Sequence, residues 1–530
     1  MKNFLRYYHT IKYLKLSQIL WRLYYIFRYS FLPISLRTSS FQQKNKTSLQ
    51  LDFLEVPIAL ASKENFFFLN TEMKFEGWEC SKASKLWLYN LHYFDFILQQ
   101  NIRGSYWIDK WINENPPLKT IGWEPYPLSL RIINWIKYHY QVEKLTEKQL
   151  ESLALQVEAL SVQVEYHILG NHLFENAKSL FVSGLFLSQN RNIDLGLKIL
   201  NEQIKEQIQV DGSHFELSPM YHAIILEGML DLVNFSKTFD FVYPSEWNEV
   251  IQSMVSYYKG CLHKDKEISY FNDSVLGIAK DSNLIFNYAL KLGFDSTKIE
   301  TKKYYNCSGL VRFENSERLM LIDGGPIGPG YIPGHAHADS LSFELSSNKT
   351  RIIVNTGIST YERNERRVEE RSTFAHNTVQ IENKNQSDIW ASFRVAKRVF
   401  PIDIGVKLKP DYDEFVGSYT GKKHIRKVQF FSNKIIITDE IGANVKKAYG
   451  YYHLHPNVIP REDGDTIILE SIDGAYIGKI LLETLKFQIE DYRWAKGFNL
   501  LINSKVIKVS LEAAKANEII FYFDEAKEKV

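Results

Sequence analysis

The spacing of apolar residues changes near residue 305, and this change constrains the fold more than any other feature of the chain. Between residues 146 and 169 apolar side chains recur every three or four positions, the period of an amphipathic helix. Thr146 and Gln149 have the spacing of a capping box, which predicts a helix start there. Similar helical periods cover 171–187, 192–209, 222–235 and 245–258. Their repeated spacing indicates stacked helix pairs, as in a solenoid or a toroid.

Short alternating or β-branched runs follow residue 306, separated by turns that contain Gly and Asp. Many short strands with turn signals predict an antiparallel β-sandwich. The predicted strands are 319–322, 341–345, 351–355, 378–381, 428–431, 435–438, 466–469 and 519–523. We therefore predict an α+β multidomain protein with a basic helical segment at 1–60, a helical domain at 61–305 and a sandwich at 306–530.

Composition narrows the class of ligand. The chain has 64 Lys and Arg against 62 Asp and Glu, and this near balance argues against nucleic acid as a partner. Aromatic residues make up 14% of the chain and suit stacking against sugar rings. The three cysteines, Cys80, Cys261 and Cys307, are far apart, which argues against a disulfide framework or a thiolate metal cluster.

Residues 1–31 alternate basic and apolar side chains. They lack the unbroken apolar segment of a secretory signal, and the chain has no run of about 18 uncharged apolar residues. We therefore expect a cytoplasmic protein without a membrane-spanning helix. Two interpretations of the segment stay open: a helix that lies on the inner, anionic face of a membrane, or a helix packed on its own domain with Lys and Arg pointing outward.

The segment Gly334–Asp339, with the sequence GHAHAD, places His335 and His337 among small residues before an alternating run. Residues two apart at a strand edge point to the same side, so this spacing allows the two imidazoles to share one site. Such a pair suits acid and base chemistry near neutral pH, or metal binding by one ring.

Two polar clusters are predicted at helix starts. The first contains Asn171, His172 and Glu175, which one helical turn would present together. The second contains Tyr221 and His222 directly after Pro219, where a helix N-terminus favours negative charge. A simple cap at Asn171 and a buried turn at Tyr221 are the structural alternatives.

A third cluster is a charged loop that leads into a strand and includes Arg371, His376 and Asn377. A guanidinium pairs with carboxylate or sulfate through two hydrogen bonds, so the loop suits an acidic ligand. His376 and Asn377 are expected to reach the same pocket as His337.

With these motifs the chain resembles the heparinase II/III-like polysaccharide lyases. The matching pieces are GNH at Asn171, SPMYH around Tyr221, GHAHAD from Gly334, VNTG at Asn355 and RSTFAHNTV from Arg371. The segment WEPYPLSLRIINW at 123–135 is similar to alginate lyase-like members found among bacterial capsule or surface-polysaccharide genes. The resemblance implies an incomplete (α/α) toroid followed by an antiparallel β-sandwich.

The resemblance also implies a function, cleavage of an acidic, uronate-containing glycan by β-elimination. Asn171 would hold the uronate carboxyl group, and Tyr221 and His335 would share the acid and base roles, with Tyr221 protonating the leaving oxygen. The implied substrate-binding residues are His172, Glu175, His222, Arg371 and Asn377.

The chemistry requires no cofactor, but some relatives bind zinc or another divalent ion in the sandwich. The matching positions are His337, Asn355 and His376. Asn355 stands where the family has an acidic ligand, and an amide is a poorer zinc ligand than a carboxylate.

Three other functions stay open. A C5-epimerase would abstract the same proton and return it to the opposite face. A glycoside hydrolase would use a carboxylate pair such as Glu216 and Asp273. A non-catalytic factor in surface-polysaccharide assembly would bind the glycan without forming product.

Overall fold

In the computed structural model, the described residues are 2–31, 34–36, 41–44, 48–56, 59, 64–421 and 423–523. The predicted segment 1–60 and the end of the predicted domain 306–530 therefore lie partly outside the described residues. Among the described helices, none is long and apolar enough to cross a membrane.

Helices dominate the chain up to residue 292. They are α1 (Lys2–Ile11), α2 (Leu16–Phe31), α3 (Lys85–Tyr93), α4 (Gly104–Glu114), α5 (Pro125–Gln141), α6 (Glu147–Ser161), α7 (Gly170–Leu187), α8 (Asn190–Gln207), α9 (Pro219–Thr238), α10 (Glu246–Gly260) and α11 (Ser282–Leu292). A hairpin of β1 (Asn65–Phe68) and β2 (Thr71–Lys74) precedes α3. We call residues 64–292 the helical part; one apolar core runs through it.

Local signals explain where these helices begin and end. The capping box at α6 is present. The Thr146 side chain accepts a hydrogen bond from the Gln149 backbone N–H, and the Gln149 side chain accepts one from the Thr146 backbone N–H. This helix ends at Ser161, whereas periodicity predicts helix as far as residue 169. The following residues form a tight turn in which Leu169 has a φ of 70°, which no helix allows.

Strands dominate from residue 304, and we call residues 304–523 the sheet part. A five-stranded sheet has the order β3 (Tyr304–Tyr305), β4 (Leu310–Glu314), β5 (Arg318–Asp323), β6 (Phe343–Ser347) and β7 (Thr350–Ile353). After it come the short helix α12 (Glu365–Glu370), β8 (Val379–Ile381), and the small pair β9 (Ile389–Trp390) and β10 (Arg394–Val395).

Two larger sheets complete the sheet part. The next strands along the chain are β11 (Pro401–Leu408), β12 (Tyr412–Tyr419), β13 (His424–Phe431), β14 (Lys434–Ile441), β15 (Ala448–His453), β16 (Val458–Asp463), β17 (Thr466–Ser471), β18 (Tyr476–Leu481), β19 (Phe487–Gly497), β20 (Leu500–Leu511) and β21 (Ala516–Tyr522). The eight-stranded sheet has the order 11-12-13-14-21-18-17-16, and the four-stranded sheet the order 19-20-15-8. Every pairing between these described strands is antiparallel, as the sequence predicts, and one core contains side chains from the three main sheets.

The helical and sheet parts pack directly on each other. Tyr257 of α10 and Cys261, which directly follows this helix, form an apolar cluster with Tyr305, Leu319 and Leu321 of the five-stranded sheet. Ile358 and Phe498 of the sheet part belong to the core of the helical part. The cleft between the two parts therefore has walls fixed by shared packing.

Candidate active site

A cavity of about 1150 Å³ lies where α1, α2, the helical part and three loops of the sheet part meet. Its volume exceeds that of ordinary small-ligand pockets, about 300–1,000 Å³. Eight Lys and Arg against five Asp and Glu border it, and this excess of positive charge favours an anionic ligand. The basic residues are Arg22, Lys85, Lys137, Lys178, Lys280, Arg363, Arg394 and Arg398.

Asn171 lies in the first turn of α7 and borders the cavity. The preceding Gly170 has a φ of 60°, and a Cβ there would lie 2.8 Å from Oε1 of Glu216. Only glycine allows both this backbone conformation and this close approach. The glycine thus lets the start of α7 pack on Glu216 and places Asn171 at the cavity wall.

Tyr221 lies in the first turn of α9, where Pro219 is the first residue and the Ser218 hydroxyl accepts from the Tyr221 backbone at 3.2 Å. The Tyr221 hydroxyl lies 3.1 Å from the hydroxyl of Tyr361 and borders the cavity. Burial, together with Tyr361, raises the pKa of Tyr221 well above its usual value. Tyr221 is therefore a protonated phenol near neutral pH.

His335 packs on Tyr221, with 4.0 Å between the two ring centroids. Its Nδ1 lies 2.8 Å from Oδ2 of Asp273. A carboxylate only accepts hydrogen bonds, so Nδ1 carries the proton and Nε2 carries the lone pair. Nε2 lies 3.8 Å from Oε2 of Glu216, too far for a hydrogen bond. His335 thus presents a proton acceptor beside the Tyr221 ring.

Asp273 holds this arrangement together. Its two oxygens accept from Arg367 at 2.5 and 2.6 Å and from His335 and His337 at 2.8 and 2.7 Å. Burial alone would raise the pKa of Asp273, but the Arg367 guanidinium and the two imidazoles outweigh burial and hold it well below its usual value. Asp273 is a fully bonded, buried carboxylate.

The two histidines lie in a loop and not at a strand edge, which corrects the sequence prediction. Strand β6 begins at Phe343, and Leu341 has a φ of 63°, which interrupts the extended alternation. His335 borders the cavity, whereas the side chain of His337 is 1% exposed and lies behind it. The two rings share Asp273 but not a common ligand site.

His337, Asp339 and His376 form a second cluster, in which one ligand atom of each lies within 4.8 Å of the others. His376 Nδ1 lies 2.7 Å from the Ser372 carbonyl, and His337 Nε2 bonds Asp273, so both protons are assigned to these positions. The remaining His337 Nδ1 and His376 Nε2 face each other at 3.0 Å as lone pairs. A cation beside these two lone pairs would remove their repulsion. Histidine ligands of metal ions typically donate a hydrogen bond from the ring nitrogen that does not bind the ion, as both rings do here.

This donor set fits a divalent ion, which His337, Asp339 and His376 would hold. Such an ion would fix the loops behind the cavity, since none of the three side chains borders it. The predicted ligand Asn355 is engaged elsewhere: its Nδ2 donates to the Tyr270 carbonyl and its Oδ1 accepts from the Asn377 backbone. Asp339 is the carboxylate of this cluster, and Asn355 as a metal ligand stays a prediction.

Of the predicted substrate-binding residues, His172 and Glu175 border the cavity. The His172 ring stacks near Tyr126, with 4.4 Å between centroids, and its Nδ1 lies 3.1 Å from Glu165. Glu175 pairs with Lys178 at 2.7 Å.

The structure places the other three predicted substrate-binding residues away from the cavity. His222 is buried, with its ring nitrogens bonded to the His214 backbone and the Met254 carbonyl. Arg371 is buried and donates to the carbonyls of Ala336, Ala391 and Ser392. Asn377 is buried and bonds the backbones of Phe343 and His453. These three side chains are structural, because backbone partners use their polar groups.

Tyr361 and Arg363 also border the cavity, and of these two sequence reasoning missed Tyr361. Tyr361 contacts Tyr221 and stacks under the Arg367 guanidinium, and Arg363 is exposed. Both follow the VNTG segment by only a few residues, so that segment was the available signal. Asp273 was considered only as a hydrolase carboxylate.

Comparisons with known proteins agree with this architecture. The family described as Heparinase II/III N-terminus matches residues 77–299, and the family described as Heparinase II/III-like, C-terminal, matches residues 300–521. A heparin-sulfate lyase of Bacteroides stercoris is 26% identical over 320 residues, covering 55% of this chain and 46% of that protein. One of Pedobacter heparinus is 25% identical over 338 residues, covering 58% and 49%. The chain thus spans about half the length of the curated relatives it matches.

Solved structures show the same fold. A crystal structure of heparinase III has a TM-score of 0.70 at 17% identity, covering 86% of this chain and 80% of that chain. A heparan sulfate lyase of Pedobacter heparinus has a TM-score of 0.58 at 18% identity, covering 85% and 79%. Since the two adjoining family matches extend from residue 77 to residue 521, the chain belongs to the heparinase II/III-like family.

Proposed function

We propose that this chain is a polysaccharide lyase that cleaves a uronate-containing acidic glycan by β-elimination. The observation that carries the proposal is the pairing of a protonated Tyr221 with a His335 whose Nε2 is a free lone pair, beside Asn171 in a positively charged cavity. The heparin-sulfate lyases among its relatives support a sulfated glycosaminoglycan as the substrate.

The proposed reaction needs three groups. The Asn171 amide donates to the uronate carboxylate and stabilises the charge that develops on it when C5 loses its proton, an effect of about 3–4 kcal/mol for one donor. His335 Nε2 takes the C5 proton. The electron pair forms the C4–C5 double bond, the C4–O4 bond breaks, and the Tyr221 hydroxyl gives its proton to O4.

The environment supports this division of roles. The raised pKa of Tyr221 keeps a proton on the hydroxyl until the leaving oxygen develops charge. Asp273 fixes the His335 tautomer that leaves Nε2 free to accept a proton. After cleavage the proton on His335 returns to Tyr221 through the solvent or the contact between the two rings.

The structure argues against the predicted hydrolase pair. A hydrolase needs one carboxylate free to act on the sugar or on water. Asp273 is 0% exposed and its oxygens already accept four hydrogen bonds, and Glu216 does not border the cavity.

A panel of acidic polysaccharides tests the proposal: heparan sulfate, heparin, hyaluronan, chondroitin sulfate and alginate. Cleavage by a lyase produces an unsaturated uronate, measured as rising ultraviolet absorbance. Tyr221→Phe removes the proton donor and is expected to lower the rate by roughly 10²–10⁴-fold. The matched control is Tyr140→Phe. This substitution removes a buried hydroxyl that has no hydrogen-bond partner, at a residue that does not border the cavity.

Other outcomes identify the other functions. Hydrogen exchange at C5 without absorbance indicates an epimerase, and shorter chains without absorbance indicate a hydrolase. Full activity of Tyr221→Phe rejects the proposed acid. The alginate-like or capsule-derived nature of the polymer stays a prediction, which the same panel tests.

We also infer the partial (α/α) toroid for the helical part. Helix α5 packs on α6, α6 on α7 and α7 on α8, and α7 also packs on α5 and α9. Helices α5, α7 and α9 all contribute to the cavity wall. This arrangement supports a ring of helix pairs around a central cleft. The cytoplasmic location stays a prediction.

A further inference from the structure

Helices α1 and α2 contact the rest of the protein through polar and aromatic side chains. On α2, Gln18 donates to the Ile168 carbonyl, Trp21 stacks on Tyr166 at 4.7 Å, and Arg28 donates to the Val162 carbonyl. All of these partners lie in the turn between α6 and α7. One face of α2 is thereby fixed to the helical part.

Helix α1 is fixed to the sheet part in the same way. Arg6 forms a two-point pair with Asp388 at 2.9 and 3.0 Å, and Trp390 donates to the Thr10 hydroxyl at 3.2 Å. The basic side chains Arg6 and Arg28 thus point toward the protein, whereas Lys12 is exposed. The helix pair packs on its own protein, as one of the two predicted alternatives has it, with only part of its Lys and Arg pointing outward.

The opposite face of the helix pair is apolar and exposed. On α2, five apolar residues recur at steps of four, three, four and four, and each is between 54 and 69% exposed: Leu16, Leu20, Leu23, Phe27 and Phe31. On α1 the exposed apolar residues include Phe4, Tyr8 and Ile11. A surface helix of a globular protein normally turns its apolar stripe inward, so this orientation is reversed. Contiguous exposed apolar surface of this kind marks an interaction site.

Charge indicates what covers this face. Residues 1–51 contain nine Lys and Arg and no Asp or Glu. Two of these basic residues, Arg6 and Lys15, pair with Asp388 and Glu206, and the others leave the segment with an excess of positive charge. Lys12 is exposed beside the apolar face. A second copy seated on the same face by a two-fold axis would bring two sets of positive charge together, whereas an anionic lipid surface would neutralise them.

We propose that α1 and α2 form a membrane-surface anchor whose apolar face inserts between the headgroups of an anionic bilayer. The same two helices supply Thr10, Gln18 and Arg22 to the cavity wall, and the turn between them supplies Leu14. Binding therefore holds the cavity next to the bilayer, where a glycan attached to the membrane reaches it. The anchor is argued from the helix pair alone and does not depend on the proposed lyase activity.

Co-sedimentation of the full chain with lipid vesicles tests the anchor. Two vesicle types are compared, phosphatidylcholine alone and phosphatidylcholine mixed with phosphatidylglycerol. We expect binding to the anionic vesicles and at least roughly tenfold weaker binding to the neutral ones. The triple variant Leu20→Gln, Leu23→Gln, Phe27→Gln is expected to lower the affinity for anionic vesicles by roughly a hundredfold or more.

The matched control carries three Gln substitutions at other exposed apolar positions, Val210, Val242 and Ile472, and is expected to bind as the unmodified chain does. Equal vesicle binding by the α2 variant and the unmodified chain would overturn the anchor, as would an absence of binding to either vesicle type. A dimer that the α2 substitutions dissociate, without vesicle binding, would show that a second copy covers the face instead. Activity on soluble glycan, if present, is expected to be unchanged in the α2 variant, so failure of the anchor and failure of the lyase proposal are separable.

Discussion

His335 and His337 are two residues apart, and each bonds one oxygen of Asp273, yet they lie in different environments. The His335 side chain is 14% exposed and borders the cavity, and its second nitrogen has no hydrogen bond to Glu216, 3.8 Å away. His337 is buried, its second nitrogen faces His376, and burial lowers its pKa to about 3 against the opposing effect of Asp273. One carboxylate thus orients two imidazoles, and only access to the cavity separates a candidate base from a structural residue.

The largest expected effect comes from removing what the two histidines share. Asp273→Asn leaves the Arg367 guanidinium buried without its counter-charge, and we expect the free energy of unfolding to fall by about 3–5 kcal/mol. Cleavage activity is expected to disappear as well, because the His335 tautomer is no longer fixed. Urea unfolding and the absorbance assay measure the two effects. Asp388→Asn, which breaks the exposed pair with Arg6, is the control and should cost less than about 1 kcal/mol.

Asn171→Ala tests the residues that border the cavity, as opposed to the buried residues behind it. Loss of the carboxylate-holding donor is expected to lower kcat by roughly 10²–10³-fold while KM changes little. The side chain lies at the cavity wall, so the free energy of unfolding should change by less than about 1 kcal/mol. Steady-state kinetics on the best glycan of the panel provides the measurement. A rise in KM alone would show that Asn171 binds the ground state and not the developing charge.

His376→Gln tests the buried cluster around His337, behind the cavity. This substitution removes the buried hydrogen bond from His376 Nδ1 to the Ser372 carbonyl, and we expect a loss of about 1–3 kcal/mol in the free energy of unfolding. Turnover is expected to stay within about threefold of the unmodified chain, since His376 does not border the cavity. If a zinc salt raises the free energy of unfolding of the unmodified chain but not that of the variant, this result would support the ion site. A large loss of turnover without loss of stability would break the division between the two histidines.

The smallest expected effect concerns Glu216, whose oxygens are buried without hydrogen-bond partners next to His335. Burial raises the pKa of Glu216, with His335 opposing it. The folded state therefore binds this proton more tightly than the unfolded state, and stability is lost as pH rises through the raised pKa. Glu216→Gln removes this loss, so the variant should gain about 1–3 kcal/mol over the unmodified chain at pH 8 and nothing below about pH 4. Unfolding curves of the variant and the unmodified chain are compared at the two pH values. An equal difference in the free energy of unfolding at both would contradict a raised pKa of Glu216.

The fold could largely be predicted because its signals are local. The period of apolar residues predicts a helix over 171–187, and α7 spans Gly170–Leu187. The capping box at Thr146 is likewise a short-range pattern, and it is present. The predicted helix end at residue 169 was wrong: α6 ends at Ser161, and Leu169 and Gly170 have positive φ directly before α7. The apolar period continues through this turn, so periodicity does not report the break.

The site could be predicted only in part. Asn171, Tyr221 and His335 border one cavity, although 164 positions separate the first from the last. The separation of His335 from His337 depends on Asp273, more than 60 residues earlier in the chain, and on the turn at Leu341. Arg371 and Asn377 look like ligands for an acidic sugar because they are polar, but backbone carbonyls that come from distant loops satisfy them.

Asp273 also has a consequence for the order of assembly. Its backbone N–H donates to the His335 carbonyl and its own carbonyl accepts from Ser218, so one residue links α9 to a loop that is synthesised later. A nascent chain that ends before residue 367 lacks the guanidinium that is the counter-charge for this carboxylate. The candidate site is therefore completed only when the second half of the chain docks, and in refolding the recovery of helical signal should precede the recovery of activity.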